Sequence, residues 1–492
     1  MSELEKTIEA IRDPEAAQFA LVEVQEMLTR QKLESEIVSR EQHSVGSERQ
    51  DLVRQLVAKQ QLAALQIKLD RLHPADIAYI LEALPREDRL TIWDLVRAER
   101  DGEILVEVSD AVRETLIASM DREELVAAAE TLDTDDLAAL APDLPEEVVE
   151  EVSEGLSIEE REQLRAAMSY PEGSVGARMD FEMVTIREDV TLEVVLRYLR
   201  RFDELPDHTD QVFVVDRNEK LLGALPIAKL LVHEPDTMVA EVMVKEFMAL
   251  HPHDNASDAA QAFERYDLVS APVLDHHGGL LGRLTVNEVV DVIREEGEQD
   301  VFAQAGLREE EDLFASVWAS AKNRWLWLAL NLGTAFFASR VIGAFEGTIE
   351  RVVALAALMP IVAGIAGNSG NQTMTLFIRS IALGQITAKN ASRIVAKELG
   401  IAGLNGLVWG SVAGAFAWWL YNDTDHGLTL GLTMMLAMLL TLLIGALIGI
   451  LVPLTLQRMG RDPAIGASVL LTFSTDSMGF FIFLGLATLF FV

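Results

Sequence analysis

Cysteine is absent from the 492 residues, which excludes disulfides, thiolate catalysis and Cys-ligated zinc or iron–sulfur centres. Basic charge is scarce: 41 Lys and Arg stand against 78 Asp and Glu, a formal net charge of -37. That imbalance argues against nucleic acid as a partner and against lying flat on an anionic leaflet. The first residues, MSELEKTIEAIRDPEAA, carry charge and lack an apolar h-region. The expectation is that they are not a secretory signal and that the region they open stays cytoplasmic. No GxxxxGK phosphate loop occurs.

Apolar residues nevertheless make up 50% of the chain, and the two halves resolve the conflict. Residues 321–492 hold seven acidic and ten basic residues; the remaining 71 acidic and 31 basic ones give 1–320 a net charge of -40. An acidic soluble region therefore precedes a weakly basic, strongly apolar one. Val352–Ile378 runs 27 residues without a formal charge and Gly427–Gln457 runs 31, each beyond the roughly 20 needed to cross the hydrocarbon layer. Five spans are expected, near 325–345, 352–378, 400–420, 428–455 and 466–490. Lys322, Arg324, Arg379, Lys389, Arg393, Lys397, Arg458 and Arg461 flank alternate ends. They place the N-terminus inside and the C-terminus outside by the positive-inside rule. Five helices enclose a polar path poorly, so a symmetric homodimer is expected.

Polar residues at membrane depth mark that path. Gly364, Asn368 and Gln372 recur every four residues and share one helical face, beside Gly367, Gly370 and Asn371. Glycine and amides also serve plain helix packing. Asp476 stands near the middle of IGASVLLTFSTDSMGFFIFLG with no base in its span. A carboxylate there costs about 2.5–3.5 kcal/mol on the translocon scale and should face protein or water. Thr472 and Gly479 extend its face. The bland reading is a structural pair with a base at the cytoplasmic edge, Arg379 or Lys389; the functional one is an ion site. Oxygen donors suit a hard divalent cation, and Mg²⁺ keeps much of its water shell. Two facing Asp476 residues could hold such an ion through its waters. Oxygen ligands alone do not separate Mg²⁺ from Mn²⁺, Co²⁺ or Ca²⁺.

The soluble half contains two duplications. LHPADIAYILEALP at 72–85 resembles LDTDDLAALAPDLP at 132–145, an offset of 60 in a helical pattern; stacked short helices point to a small superhelical domain. QVFVVDRNEKLLGALPIAKLL at 211–231 matches SAPVLDHHGGLLGRLTVNEVV at 270–290, and each unit reads strand, turn, strand, helix. Upstream, each unit adds a short strand, a turn and a helix, giving an α/β sensor module whose cleft leaves nucleotide binding open. Acidic runs such as DVIREEGEQD pair Asp291 with Glu295 and Glu296 with Asp300 at four-residue spacing. Any one of these is ordinarily a solvated face; together, carboxylates at this density repel one another, and shared divalent ions would draw them closed. His251, His253, His276 and His277 form no nucleophile or metal triad and read as surface residues, so no enzyme is expected.

PIVAGIAGNSGNQ at 360–372 and RDPAIGASVLLTFSTDSMGF at 461–480, together with the paired α/β repeats, resemble the MgtE family of magnesium channels and transporters from about residue 55 onward. The resemblance implies a multidomain fold: a cytoplasmic helical superhelix, an α/β pair of CBS motifs and an α-helical five-span transmembrane domain. The expected boundaries are an extension at 1–54, the helical domain at 55–174, CBS units at 175–236 and 237–300, a connecting plug helix at 301–322 and the membrane domain at 323–492. The family further implies a homodimer in the bacterial inner membrane, with Asp476 as the pore aspartate and Asn368 as the second-span asparagine. Asp291, Glu295 and Glu296 look like its acidic gating residues, and closure by cytoplasmic Mg²⁺ follows. Two rivals remain: a proton- or sodium-coupled carrier for Co²⁺ or another divalent cation, and a non-conducting membrane sensor.

Overall fold

The computed structural model describes residues 16–40, 60, 62–307, 312–387, 389–424 and 426–491, with backbone only at 34–40. The expected extension and the start of the helical domain therefore lie partly outside the described residues, as do 308–311 of the connector and Asp425. The chain forms two compact units. The first comprises residues up to Glu296 together with Asp312–Ala315; the second comprises Gly297–Glu311 and Ser316–Val492.

The first unit opens on a helix, Ala16–Arg40, whose Ala20, Val24 and Leu28 join the core of a stack of short helices running from Pro74 to Ser169. Capping keeps these helices short and well ended. His73, Asp121 and Ser157 each close a capping box with Asp76, Glu124 and Glu160, satisfying N–H groups that the first turn cannot pair internally. The fold also contains a repeat that the offset of 60 does not describe. Arg89, Arg113 and Arg161 stand 24 and 48 residues apart. Each donates Nε to the carbonyl eight residues back (Leu81, Leu105, Ser153) and Nη2 to the carbonyl five back (Leu84, Val108, Leu156). These guanidinium groups satisfy the free carbonyls at the end of the preceding helix.

The α/β pair follows. β1 (Thr185–Arg187) pairs parallel with β2 (Gln211–Val215), which pairs antiparallel with β3 (Leu221–Pro226). In the second repeat β4 (Ser270–Leu274) pairs antiparallel with β5 (Leu280–Thr285). The upstream strand expected there shrinks to one parallel bridge, Leu250 with Val273. Two residues on, Pro252 lacks an N–H for any ladder, and its carbonyl accepts instead from Gly176. Asp216 and Asp275 fold equivalent turns by accepting two backbone N–H bonds each. Gly223 and Gly282 recur because backbone crosses both hairpins: a Cβ at either would lie 2.7 Å from the carbonyl oxygen of Val244 or Asp180.

The helix that closes the second repeat runs unbroken from Val286 to Ala305, past the boundary expected at 300. It stops at Gly306, which adopts φ 72° beside Trp327, where a Cβ would strike the indole. The connector expected at 301–322 thus contains the end of one helix, and Ser316 caps a new one, Val317–Gly343.

Among the described residues, four helices of the second unit are long and apolar enough to cross a membrane: Val317–Gly343, Ala391–Leu420, Gly427–Arg458 and Ala467–Phe491. Ala354–Ala382 is 29 residues long, but Pro360, Asn368, Asn371 and Gln372 dilute its hydropathy and keep it out of that set. Glycines let these helices approach closely. A Cβ at Gly410 would lie 2.8 Å from Met435 O, and one at Gly445 would lie 2.7 Å from Ala366 O.

Candidate ion path and acidic field

Ala354–Ala382 and Ala467–Phe491 pack along a seam of small residues. A Cβ at Gly367 would sit 3.6 Å from Thr475 Oγ1, and one at Gly479 would sit 3.6 Å from Ala363 Cα. This seam turns the neighbouring faces outward. Gly364, Asn368 and Gln372 are exposed on one helix; Thr472 is exposed and Asp476 half-buried on the other. Among the described residues, nothing covers Gly364, Asn368, Gln372 or Thr472. Gly479 differs: it is buried in the seam and lends close packing rather than an open backbone. No hydrogen bond or ion pair reaches the Asp476 carboxylate among the described residues, and Arg379 and Lys389 lie exposed without pairing to it.

Seven acidic residues of the first unit lie close enough for the charge of one to raise the pKa of another. Glu107, Asp135 and Asp136 come from the helical stack, Asp180 and Glu182 from the segment entering the α/β pair, and Glu288 and Asp291 from Val286–Ala305. Burial, then the charges of Asp135, Asp291 and Asp136, push Glu288 up to about 8 against the opposing pull of Arg178. Burial and the neighbouring Asp180 and Asp136 carry Asp135 to about 7; burial and Asp133 carry Asp136 to about 6. Burial and Asp291 raise Glu107 as well. Asp180 is anchored by Arg283, which is 3% exposed and donates Nε to Asp180 Oδ2 at 2.8 Å.

Of the gating residues expected from the sequence, Asp291 belongs to this field and lies 3.6 Å from Arg294. Glu295 instead pairs with Arg178 at 2.5 Å, and Glu296 is exposed at the end of the first unit. Glu288, Asp135 and Asp136 were missed. A signal for two of them existed: the second helical repeat carries Asp135 where the first has Ala75, so a doubled acid replaces a single one. Among the described residues no three His, Asp or Glu side chains come together in ligand geometry. The carboxylates form a diffuse field rather than a finished coordination shell, and the donors it offers are oxygens, suited to a hard divalent cation.

Comparison with known proteins matches each part. The family model described as "Divalent cation transporter" (MgtE) covers residues 359–486, the MgtE intracellular N domain covers 72–173, and the CBS domain covers 174–233 and 239–295. The magnesium transporter MgtE of Thermus thermophilus is 30% identical over 433 residues, spanning 87% of this chain and 95% of that protein. The magnesium transporter MgtE of Bacillus subtilis is 26% identical over 422 residues, 86% of this chain and 93% of its own length. Among solved structures, the cytosolic domain of the Mg²⁺ channel MgtE in complex with ATP aligns with 49% of this chain and 98% of its own, at 28% identity and a TM-score of 0.44. By residues, repeats and relatives alike, the chain belongs to the MgtE family.

Proposed function

We propose that the protein is a Mg²⁺-selective channel or transporter that moves Mg²⁺ into the cytoplasm and closes when cytoplasmic Mg²⁺ binds its acidic soluble half. Asp476 carries this reading. It is a lone carboxylate in a span of mean hydropathy 1.6, half-buried and beside exposed Thr472, without a paired base among the described residues. In lipid such a face is costly; against a second copy it becomes the wall of a water-filled path. The polar strip Gly364, Asn368 and Gln372 supports the same homodimer, and makes Ala354–Ala382 a fifth span that meets protein and water rather than acyl chains. Charge bias supports a cytoplasmic N-terminus, and the kinship with the bacterial relatives supports an inner-membrane location. The relatives named above, two of them called magnesium transporters, support Mg²⁺ over the other hard cations.

Closure follows from the field around Glu288. Carboxylates raised by mutual repulsion and burial are held together at an energetic cost, which a divalent cation shared among them offsets. Asp291, with Glu288, Asp135 and Asp136, is the part of the field we assign to Mg²⁺ sensing; Glu295 and Glu296 stand at its margin. The deciding experiment is Mg²⁺ flux into liposomes at varied Mg²⁺ on the cytoplasmic face, with D476A as control. Conduction that fades as Mg²⁺ rises, and vanishes in D476A, is expected. Full flux in D476A, or flux that needs a proton or sodium gradient, would sink the proposal.

A further inference from the structure

Among the described residues, Arg89 is the one arginine of the stack whose carboxylate partner comes from far along the chain. Arg113 finds Asp110 and Asp143, both within the stack, at 2.9 Å. Arg89 is 0% exposed; after its bonds to the Leu81 and Leu84 carbonyls it presents its remaining edge to Asp312. Nη1 donates to Asp312 Oδ2 at 2.8 Å and Nη2 to Oδ1 at 3.2 Å, a two-pronged contact spanning 223 positions of sequence. The Phe314 N–H donates to Asp312 Oδ1 at 2.9 Å, closing a small turn around the carboxylate. Burial pushes Asp312 up, but these bonds and the Arg89 charge together hold it below its ordinary range. Asp312–Ala315 accordingly packs as part of the first unit, although Ser316, the next residue, caps the first membrane helix.

A fully buried guanidinium needs a partner for its charge, and a bidentate carboxylate is its best geometric match. A loose linker would leave the Arg89 site unpaired. We propose that Arg89 is a positioning residue for gating, clasping Asp312 so that the segment leading into the first membrane helix moves with the helical stack. This rests on the gating reading above and adds the point at which force passes to the membrane helices. Asp312 would hold at the first helix pair the place that Asp143 holds at Arg113.

The test uses the full chain in liposomes. Removing Arg89 also strips two helix-end carbonyls of their donor, so Asp312→Ala is the primary variant and Arg89→Lys the second. Flux without cytoplasmic Mg²⁺ should be unchanged in Asp312→Ala. The Mg²⁺ concentration that half-closes the pathway should rise by about tenfold, the scale of losing a charge-assisted hydrogen bond, and Arg89→Lys should shift it in the same direction. A lowered melting temperature with an unmoved half-closing concentration would make the pair merely structural and overturn the clasp. If wild-type flux ignores Mg²⁺, the gating reading itself fails; if the wild type responds and Asp312→Ala responds identically, the clasp alone fails.

Discussion

At the scale of single residues, visibility in the sequence depends on background. Asp476 stands out because its span carries no other charge; an asparagine of the same shape keeps the helix but loses the charge that the proposed ion site needs. D476N should therefore reach the membrane at wild-type levels, with uptake of Mg²⁺ falling to the vesicle background. Glu288 is invisible in a region with 71 acids, since only burial distinguishes it. Its side chain is 28% exposed, and its rise from 4.5 to about 8 means that the charged form is disfavoured in place. Each unit of such a shift is worth about 1.4 kcal/mol. Glu288→Gln should raise stability without divalent cations by at least about 1 kcal/mol, read from thermal melting, while weakening closure by Mg²⁺. Unchanged melting would show the repulsion to be screened.

Among the elements, the hairpin duplication was legible because identity, not just pattern, repeats: Asp216 with Asp275 and Gly223 with Gly282 do the same turning and crossing work in both units. The helical stack was harder to read. The offset of 60 records a local likeness of helix, proline and helix, whereas the structural interval of 24 rests on three arginines whose role lies in carbonyls of the preceding helix. Arg113→Met should destabilise the stack by about 1.5–3 kcal/mol, the worth of charge-assisted bonds, measured by denaturant melting of the full chain. In the membrane unit, Gly410 admits the Met435 backbone. Gly410→Leu should force Ala391–Leu420 off Gly427–Arg458 at a cost of about 1–3 kcal/mol, seen as a lower melting temperature in detergent.

For the whole molecule, protonation and folding are linked. Glu288 near 8, Asp135 near 7 and Asp136 near 6 all lie above their unfolded values. The folded state therefore binds more protons than the unfolded chain between those values and the raised ones. Stability without divalent cations should fall as pH rises from about 4 toward 8, contrary to the usual behaviour of salt-bridged carboxylates. Mg²⁺ should flatten this slope by replacing the protons. Melting temperatures of the detergent-solubilised protein from pH 5 to 8, with and without Mg²⁺, check both signs; stability that rises with pH when Mg²⁺ is absent would contradict the acidic field.

Local pattern alone determined that an acidic half precedes apolar helices, that two α/β units are duplicated, and that one aspartate stands alone among uncharged residues in the last apolar helix. Charge, periodicity and run length depend only on neighbours along the chain, so they survive without coordinates. Which carboxylates crowd together, why Gly479 packs a seam while Thr472 stays open, and how Asp312 meets Arg89 were decided by tertiary contact. Those pairings join residues up to 223 positions apart, and burial, which sets their energies, exists only once the chain has folded.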